Sequence, residues 1–183
     1  MDFKAVFRLL LDNFSQSKID FAIIGGIALQ IGGFMRATRD IDLLIAKEDM
    51  PAAKNIMLSL GYDLLHESQD VGNFLSKLPA LGAVDFLLAH RKYAKAMLAR
   101  AKREKIFDGE YSVKVVIPED LIGLKVQSSS NDSERYHQDM ADIEYLLKAN
   151  YGKIDMSLVE EYFKIFDRDN ELKEILGKIK NAQ

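Results

Sequence analysis

The sequence contains no cysteine. Disulfides, zinc–thiolate centres and thiol nucleophiles are therefore excluded. Histidine is scarce as well: His66, His90 and His137 are the only three, and none shares metal-ligand spacing with another, so each reads as an ordinary structural residue. Neither sign of charge dominates, since 25 Lys and Arg stand against 28 Asp and Glu for a formal net charge of −3. That balance is not the footprint of a dedicated nucleic-acid binder, although it leaves room for local contact with RNA. Long apolar runs are missing too. None approaches the ~20 residues of a membrane span, and Met1 opens a mixed amphipathic stretch rather than a leader's apolar segment. A soluble cytoplasmic chain with no membrane partner is the expectation. What is present suffices for one substantial core: 183 residues, 48% hydrophobic, with 29% charged residues to cover it.

Apolar periodicity sets out the elements. Phe3, Val6, Phe7, Leu10, Leu11 and Phe14 recur at helical spacing and predict an opening amphipathic helix. Residues 19–24 read as a buried strand ending at Gly25-Gly26, followed by a short helix over 28–32 and a second strand over 40–46. Pro51 suits the first turn of a helix that Gly61 stops. Strands are expected over 62–66, 73–78 and 83–88, with Pro79-Ala80-Leu81-Gly82 as a turn. A basic helix is expected over 91–105 and another strand over 111–117, with Lys114 facing out. From Pro118 the pattern is helical, over 118–127, 133–149, 158–167 and 170–180, with a flexible break at 128–131. The whole is an α+β fold, a mixed sheet with helices and a helical C-terminal third. Residues 1–117 are expected to form a core on which 118–183 packs as part of one compact protein.

The chemistry concentrates between Phe21 and Leu44. Asp40 and Asp42 stand two apart, so on a strand they share a face. At ~6 Å and an effective dielectric of ~20 their repulsion is about 3 kcal/mol, which calls for a cationic partner, and a hard divalent metal suits two carboxylates. Asp85, in the apolar run Ala83-Val84-Asp85-Phe86-Leu87-Leu88, would add a third if the two strands are neighbours. Gly25-Gly26, lacking Cβ atoms, would let a phosphate approach the backbone at a helix start. Taken singly these features are bland: a Gly-Gly turn, a solvated Asp-x-Asp at a strand end, an edge acid. Their conjunction is what carries the reading.

In order and spacing they resemble the DNA polymerase β-type nucleotidyltransferase superfamily, which has Gly-Gly or Gly-Ser, about ten residues, Asp-x-Asp or Asp-x-Glu, and a third acid on a later strand. Gly25-Gly26, Arg36, Thr38 and Asp40-Ile41-Asp42-Leu43 resemble in particular the AbiEii-like branch, whose members include toxins of toxin–antitoxin systems. They are also similar to the small antibiotic nucleotidyltransferases. Asp120-Leu121-Ile122-Gly123-Leu124-Lys125, Asn131-Asp132, Arg135 and Asp139-Met140-Ala141-Asp142-Ile143 resemble the helical segment of the AbiEii-like proteins. The resemblance implies a nucleotidyltransferase fold with a helical C-terminal part, and an enzyme that moves NMP from an NTP to an acceptor hydroxyl. Two Mg²⁺ ions, with Mn²⁺ as an alternative, would sit on Asp40, Asp42 and Asp85, with Asp85 also acting as base. Lys125 would complete the catalytic set, with Gly25, Gly26, Arg36, Thr38, Arg39 and Asp142 about the nucleotide.

Several readings stay open at this level. Lys125 reads as a phosphate ligand or as a snorkelling surface lysine. Arg36 and Arg39 reach phosphates or pair with neighbouring carboxylates. Asp139 and Asp142 share a helix face, where they orient Lys125 or Arg135 or are simply solvated. The basic stretch over 91–105 is a solvated helix face or, as a second reading, an RNA contact. The acceptor is an RNA such as tRNA, a protein or a small molecule such as an aminoglycoside. A cognate antitoxin would be the partner of the toxin branch. The competing class is a non-catalytic nucleotide-binding module of the same fold, whose mark would be loss of a metal acid.

Overall fold

The computed structural model describes residues 1–181. The chain divides into two compact units, Met1–Val116 and the stretch from Ile117 onward. In the first unit, the helical spacing of apolar residues gives α1, Phe3–Gln16, capped where Asp2 Oδ1 accepts the Ala5 N–H at 3.0 Å. Its buried stripe is Val6, Phe7, Leu10 and Phe14. The elements that follow are β1 (Phe21–Ile23), α2 (Gly25–Ile31), β2 (Asp40–Ala46), a 3₁₀ turn (Lys47–Asp49), α3 (Met50–Ser59), β3 (Tyr62–Glu67) and β4 (Val71–Ser76). Then come β5 (Ala83–Ala89), α4 (Lys92–Arg100), β6 (Lys102–Ile106) and β7 (Tyr111–Val115).

The seven strands form one mixed sheet in the order β3-β4-β5-β2-β1-β7-β6. β2 runs antiparallel to β1 and parallel to β5, and β1 runs parallel to β7. Period-two alternation in β2 sends Ile41, Leu43 and Ile45 to one face, where they are wholly buried. On that same face Phe74 meets Phe86 edge-on at 5.5 Å, and Phe86 stacks on Phe14 of α1 at 6.1 Å. Aromatic contacts thus tie the opening helix to the middle of the sheet. Asp40 and Asp42 are left to the opposite face.

The sheet corrects one expectation of consequence. The basic stretch over 91–105 is not a single helix: α4 stops at Arg100, and Lys102–Ile106 is the edge strand β6, paired antiparallel with β7. Helical propensity favoured Lys and Arg there, but the open edge of β7 offered backbone hydrogen bonds that a continued helix would have left unmade. A smaller correction concerns α2, which begins at Gly25 itself rather than at Ala28.

The second unit is helical: α5 (Pro118–Asn131), α6 (Tyr136–Ala149), α7 (Met156–Ile165) and α8 (Asp169–Asn181). The expected flexible break at 128–131 is instead the last turn of α5. Its serines bond backward along the helix, Ser129 Oγ to the Lys125 carbonyl at 2.8 Å and Ser130 Oγ to the Val126 carbonyl at 2.7 Å. The buried Arg168 guanidinium then donates to both hydroxyls, at 2.6 and 3.0 Å. Among the described residues no helix is long and apolar enough to cross a membrane.

Candidate functional site

β2 and β5 are neighbours, and their register sets Asp42 directly opposite Asp85, with Asp40 opposite Ala83. Asp40, Asp42 and Asp85 are each half-buried and each offer a carboxylate oxygen within 4.8 Å of the others'. Three hard oxygen donors on one face, without a thiolate or imidazole among them, are the donor set of a hard divalent cation such as Mg²⁺ or Mn²⁺. The protein supplies part of the order around them. Thr38 Oγ1 donates to Asp40 Oδ1 at 2.8 Å, and Asn73 Nδ2 on β4 donates to Asp85 Oδ1 at 2.7 Å. Burial pushes the Asp85 carboxyl above its ordinary range; the Asn73 hydrogen bond draws it back, and the charge of Asp40 pushes it up again.

The two glycines are demanded by contact. Gly25 takes φ +63°, and a Cβ placed on it would stand 1.9 Å from Asp42 Oδ2. A Cβ on Gly26 would stand 2.7 Å from Thr38 Oγ1. The backbone at the start of α2 therefore lies directly against the Asp42 carboxylate and against the threonine that braces Asp40. Between α2 and β2 the segment 32–39 carries the remaining predicted residues of this unit. Gln30 Nε2 donates to the Arg36 carbonyl at 2.5 Å, and the Arg39 side chain is exposed.

Of the predicted site residues, the first unit thus brings Gly25, Gly26, Thr38, Asp40, Asp42 and Asp85 together. Lys125 and Asp142 belong to the second unit, where they form a cluster of their own. Lys125 Nζ lies 2.8 Å from Asp139 Oδ1 and 2.7 Å from Asp142 Oδ2, and all three side chains are buried. Arg135 Nε approaches Asp139 Oδ2 at 3.6 Å. Lys125 is therefore neither a snorkelling surface lysine nor an isolated cation, and Asp139 and Asp142 are not a solvated face. Asn73, which hydrogen-bonds Asp85, lies outside the motif read from the sequence. Its signal was available, since a polar amide in the run Val71-Gly72-Asn73-Phe74 falls on the alternation of the acid strand, but only pairing of β4 with β5 reveals what it faces.

Residues 3–181 match the family described as "Nucleotidyl transferase of unknown function (DUF2204)". The chain belongs to this nucleotidyl transferase family. No curated protein matches the sequence. Among solved structures, the solution structure of the antibiotic-resistance factor ANT(2″)-Ia is similar, with a TM-score of 0.61 and 15% identity over 100% of this chain and 98% of that one. Lincomycin-bound LnuA, a lincosamide antibiotic adenylyltransferase, gives a TM-score of 0.56 and 15% identity over 78% of this chain and 97% of its own. An antigenic nucleotidyltransferase-like protein from Paracoccidioides brasiliensis gives 0.58 and 17% identity over 96% and 92%. The fold of this nucleotidyl transferase is thus the nucleotidyltransferase fold, as the sequence motif implied, and the chain is an enzyme of the transferase class.

Proposed function

We propose that this chain is a Mg²⁺-dependent nucleotidyltransferase that moves NMP from an NTP to an acceptor hydroxyl, with Asp40, Asp42 and Asp85 as its metal ligands. The observation that carries the proposal is the convergence of those three carboxylates from two parallel strands against a glycine backbone. A bound divalent cation would neutralise the triphosphate and lower the barrier to displacement at its α-phosphorus. Asp85, with Oδ1 held by Asn73, takes the proton of the acceptor hydroxyl through its other oxygen. The acceptor oxygen then bonds to the α-phosphorus, the bond to the bridging oxygen breaks, and pyrophosphate leaves with that electron pair. Gly25 and Gly26 leave the phosphates room that a side chain would fill. Arg36 and Arg39 lie in the segment leading into β2 and are the cations of this unit assigned to the nucleotide. The reading does not depend on Lys125 or Asp142.

The AbiEii-like resemblance favours a macromolecular acceptor such as tRNA or protein, and with it a toxin held by a separately encoded antitoxin. A small-molecule acceptor is the second reading, favoured by the fold neighbours, one of which is ANT(2″)-Ia in complex with adenylyl-2″-tobramycin.

The test is thermal unfolding with each of the four NTPs, with and without Mg²⁺ or Mn²⁺, on the wild type and on Asp42→Asn. Wild-type protein should gain stability with NTP plus metal, by about 2.7 kcal/mol at a hundredfold excess over Kd. Asp42→Asn should show no metal-dependent gain. A wild type that no NTP–metal pair stabilises would sink the proposal.

A further inference from the structure

The carboxylate site is walled on one side and open on the other. Toward β1 the start of α2 closes it: a Cβ on Gly25 would stand 1.9 Å from Asp42 Oδ2, and the Ile24 N–H donates to the Asp42 carbonyl at 3.0 Å. Toward β4 and β3 the face runs on through adjacent strands. Asp42 pairs with Asp85, Asp85 with Asn73, and Asn73 with His66. In the neighbouring row Asp40 pairs with Ala83, Ala83 with Leu75, and Leu75 with Asp63. Paired residues of adjacent strands project to the same side, so both rows share the face of the acids. No residue along them is buried: Asp85, Asn73 and Ala83 are half-buried, and His66, Leu75 and Asp63 are exposed.

His66 owes its place to an irregularity in β3. Leu64 pairs with Phe74 and His66 with Asn73, so two steps on β3 match one on β4. A regular ladder would set Leu65 opposite Asn73; the shift sets an imidazole there instead. Glu67 is thereby turned to the other face, where its carboxylate meets Lys54 of α3 at 2.6 Å. Protection of an open edge accounts for a bulge on β3, but not for its bringing a polar ring into the row of the acids. Among the described residues His66 makes no hydrogen bond, ion pair or ring contact. Leu75, in the row of Asp40, is a large apolar side chain left 45% exposed.

An NTP whose phosphates lie against the glycine wall leaves this open flank to the other substrate. Asp85 and His66 stand two strand intervals apart, about 10 Å between backbones, with β4 between them. A compact acceptor over Asn73 would place its reacting hydroxyl at Asp85 and a second polar atom at the imidazole. Its apolar flank would meet Leu75, about 7 Å along β4 from Asn73. The two rows on β5, β4 and β3 contain no lysine or arginine, and Lys77, just past β4, is paired with Asp63 at 3.2 Å. Such a flank has nothing to neutralise a phosphodiester, and it suits an uncharged hydroxyl compound.

We propose that Leu75 and His66 are specificity-determining residues for the acceptor: Leu75 packs against an apolar flank of an uncharged hydroxyl compound, and His66 hydrogen-bonds its second polar atom. The proposal rests on the nucleotidyl-transfer reading and deepens it by naming the residues that select the acceptor.

The test is a ¹⁹F line-broadening titration of two probes with the full chain, in Mg²⁺ and the uncleavable α,β-methylene analogue of each NTP. One probe, 5-fluoro-1,3-benzenedimethanol, carries two hydroxyls on an apolar ring; the other, 3-fluorobenzyl alcohol, carries one. The variants are Leu75→Asp, His66→Ala and the control Leu58→Asp, at an exposed position of α3 on the opposite face. Wild type should bind the diol more tightly than the mono-alcohol. His66→Ala should weaken the diol about three- to tenfold, the worth of one hydrogen bond, and leave the mono-alcohol unchanged. Leu75→Asp should weaken both probes about tenfold, the loss of an apolar contact. The control should match wild type, and thermal stabilisation by NTP plus Mg²⁺ should be the same in all four proteins. Equal binding of the probes by wild type and both flank variants would overturn the proposal, as would NTP-stabilised wild type that binds neither probe. So would a ribodinucleoside monophosphate that displaces the diol at a lower concentration than the diol itself needs, which would point to a phosphodiester acceptor on this flank. If the probes follow Leu75 and His66 while no NTP stabilises any of the proteins, the binding flank stands and the nucleotidyl-transfer reading falls.

Discussion

Gly25 shows how little freedom single residues have at this site. Its positive φ and the 1.9 Å that would separate an added Cβ from Asp42 Oδ2 are independent demands for the same residue. Gly25→Ala must displace the carboxylate and strain the backbone, at a cost of roughly 1–3 kcal/mol. We expect the variant to unfold at a lower temperature than wild type and to lose the stabilisation by NTP plus Mg²⁺; retention of that gain would show that Asp42 is not held where the reaction needs it. Asn73 acts on the other strand by orienting Asp85. Asn73→Ala should weaken Mn²⁺ binding, measured by calorimetry, about 10–100-fold. A loss confined to thermal stability, with Mn²⁺ affinity intact, would mark the amide as structural packing alone.

At the scale of elements, Tyr62 anchors the start of β3. Its hydroxyl donates to the Leu81 carbonyl at 3.1 Å, and burial pushes its pKa up to about 12 from an ordinary 10.0. The folded state therefore holds the phenolic proton more tightly than the unfolded chain. The contribution of this hydroxyl to stability is constant below pH 10 and declines as pH rises through the interval between the two values. Tyr62→Phe should cost about 1 kcal/mol at neutral pH, the worth of the hydrogen bond, and lose less stability than wild type between pH 10 and pH 12. Urea unfolding at both ends of that range measures the difference; parallel losses would assign the alkaline decline to another group.

Elements of this kind were legible in the sequence to the extent that one local signal governed them. The spacing of Phe3, Val6, Phe7, Leu10 and Phe14 announced α1, and the alternation of Asp40-Ile41-Asp42-Leu43 announced β2 and the face its acids share. Signals that arise from a distant partner were not legible. Nothing near Lys102 says that the edge of β7 awaits a strand, and nothing near Ser129 says that Arg168, 39 residues on, will hold its hydroxyl. The site divides in the same way. Its acids and glycines could be read from order and spacing, whereas Asn73 acquires meaning only once β4 lies beside β5.

Across the whole molecule, charge is arranged in two contrasting ways. In the first unit the carboxylates of Asp40, Asp42 and Asp85 gather on one face of the sheet with no lysine or arginine ion-paired to Asp40 or Asp85 among the described residues. In the helical unit two buried carboxylates are already joined to Lys125. Removing that lysine takes the shared cation from both in a medium that solvates charge poorly, and breaking such a buried pair costs about 3–5 kcal/mol. Lys125→Met should thus lower the urea midpoint sharply, and Lys125→Met/Asp139→Leu/Asp142→Leu should recover most of the loss. If the triple variant is no better than the single one, the charges hold more than each other.

The pairing of β2 with β5 also bears on time. Asp42 and Asp85 meet across roughly forty intervening residues, with the β3–β4 hairpin closed between them, so loop-closure entropy must be overcome before the two acids can face one another. Local helices and hairpins form in microseconds, while non-local parallel pairing is slow. A chain emerging from a ribosome therefore has most of its secondary structure before Asp42 and Asp85 meet, and under the proposed function cannot act on its substrates until the fold is nearly complete.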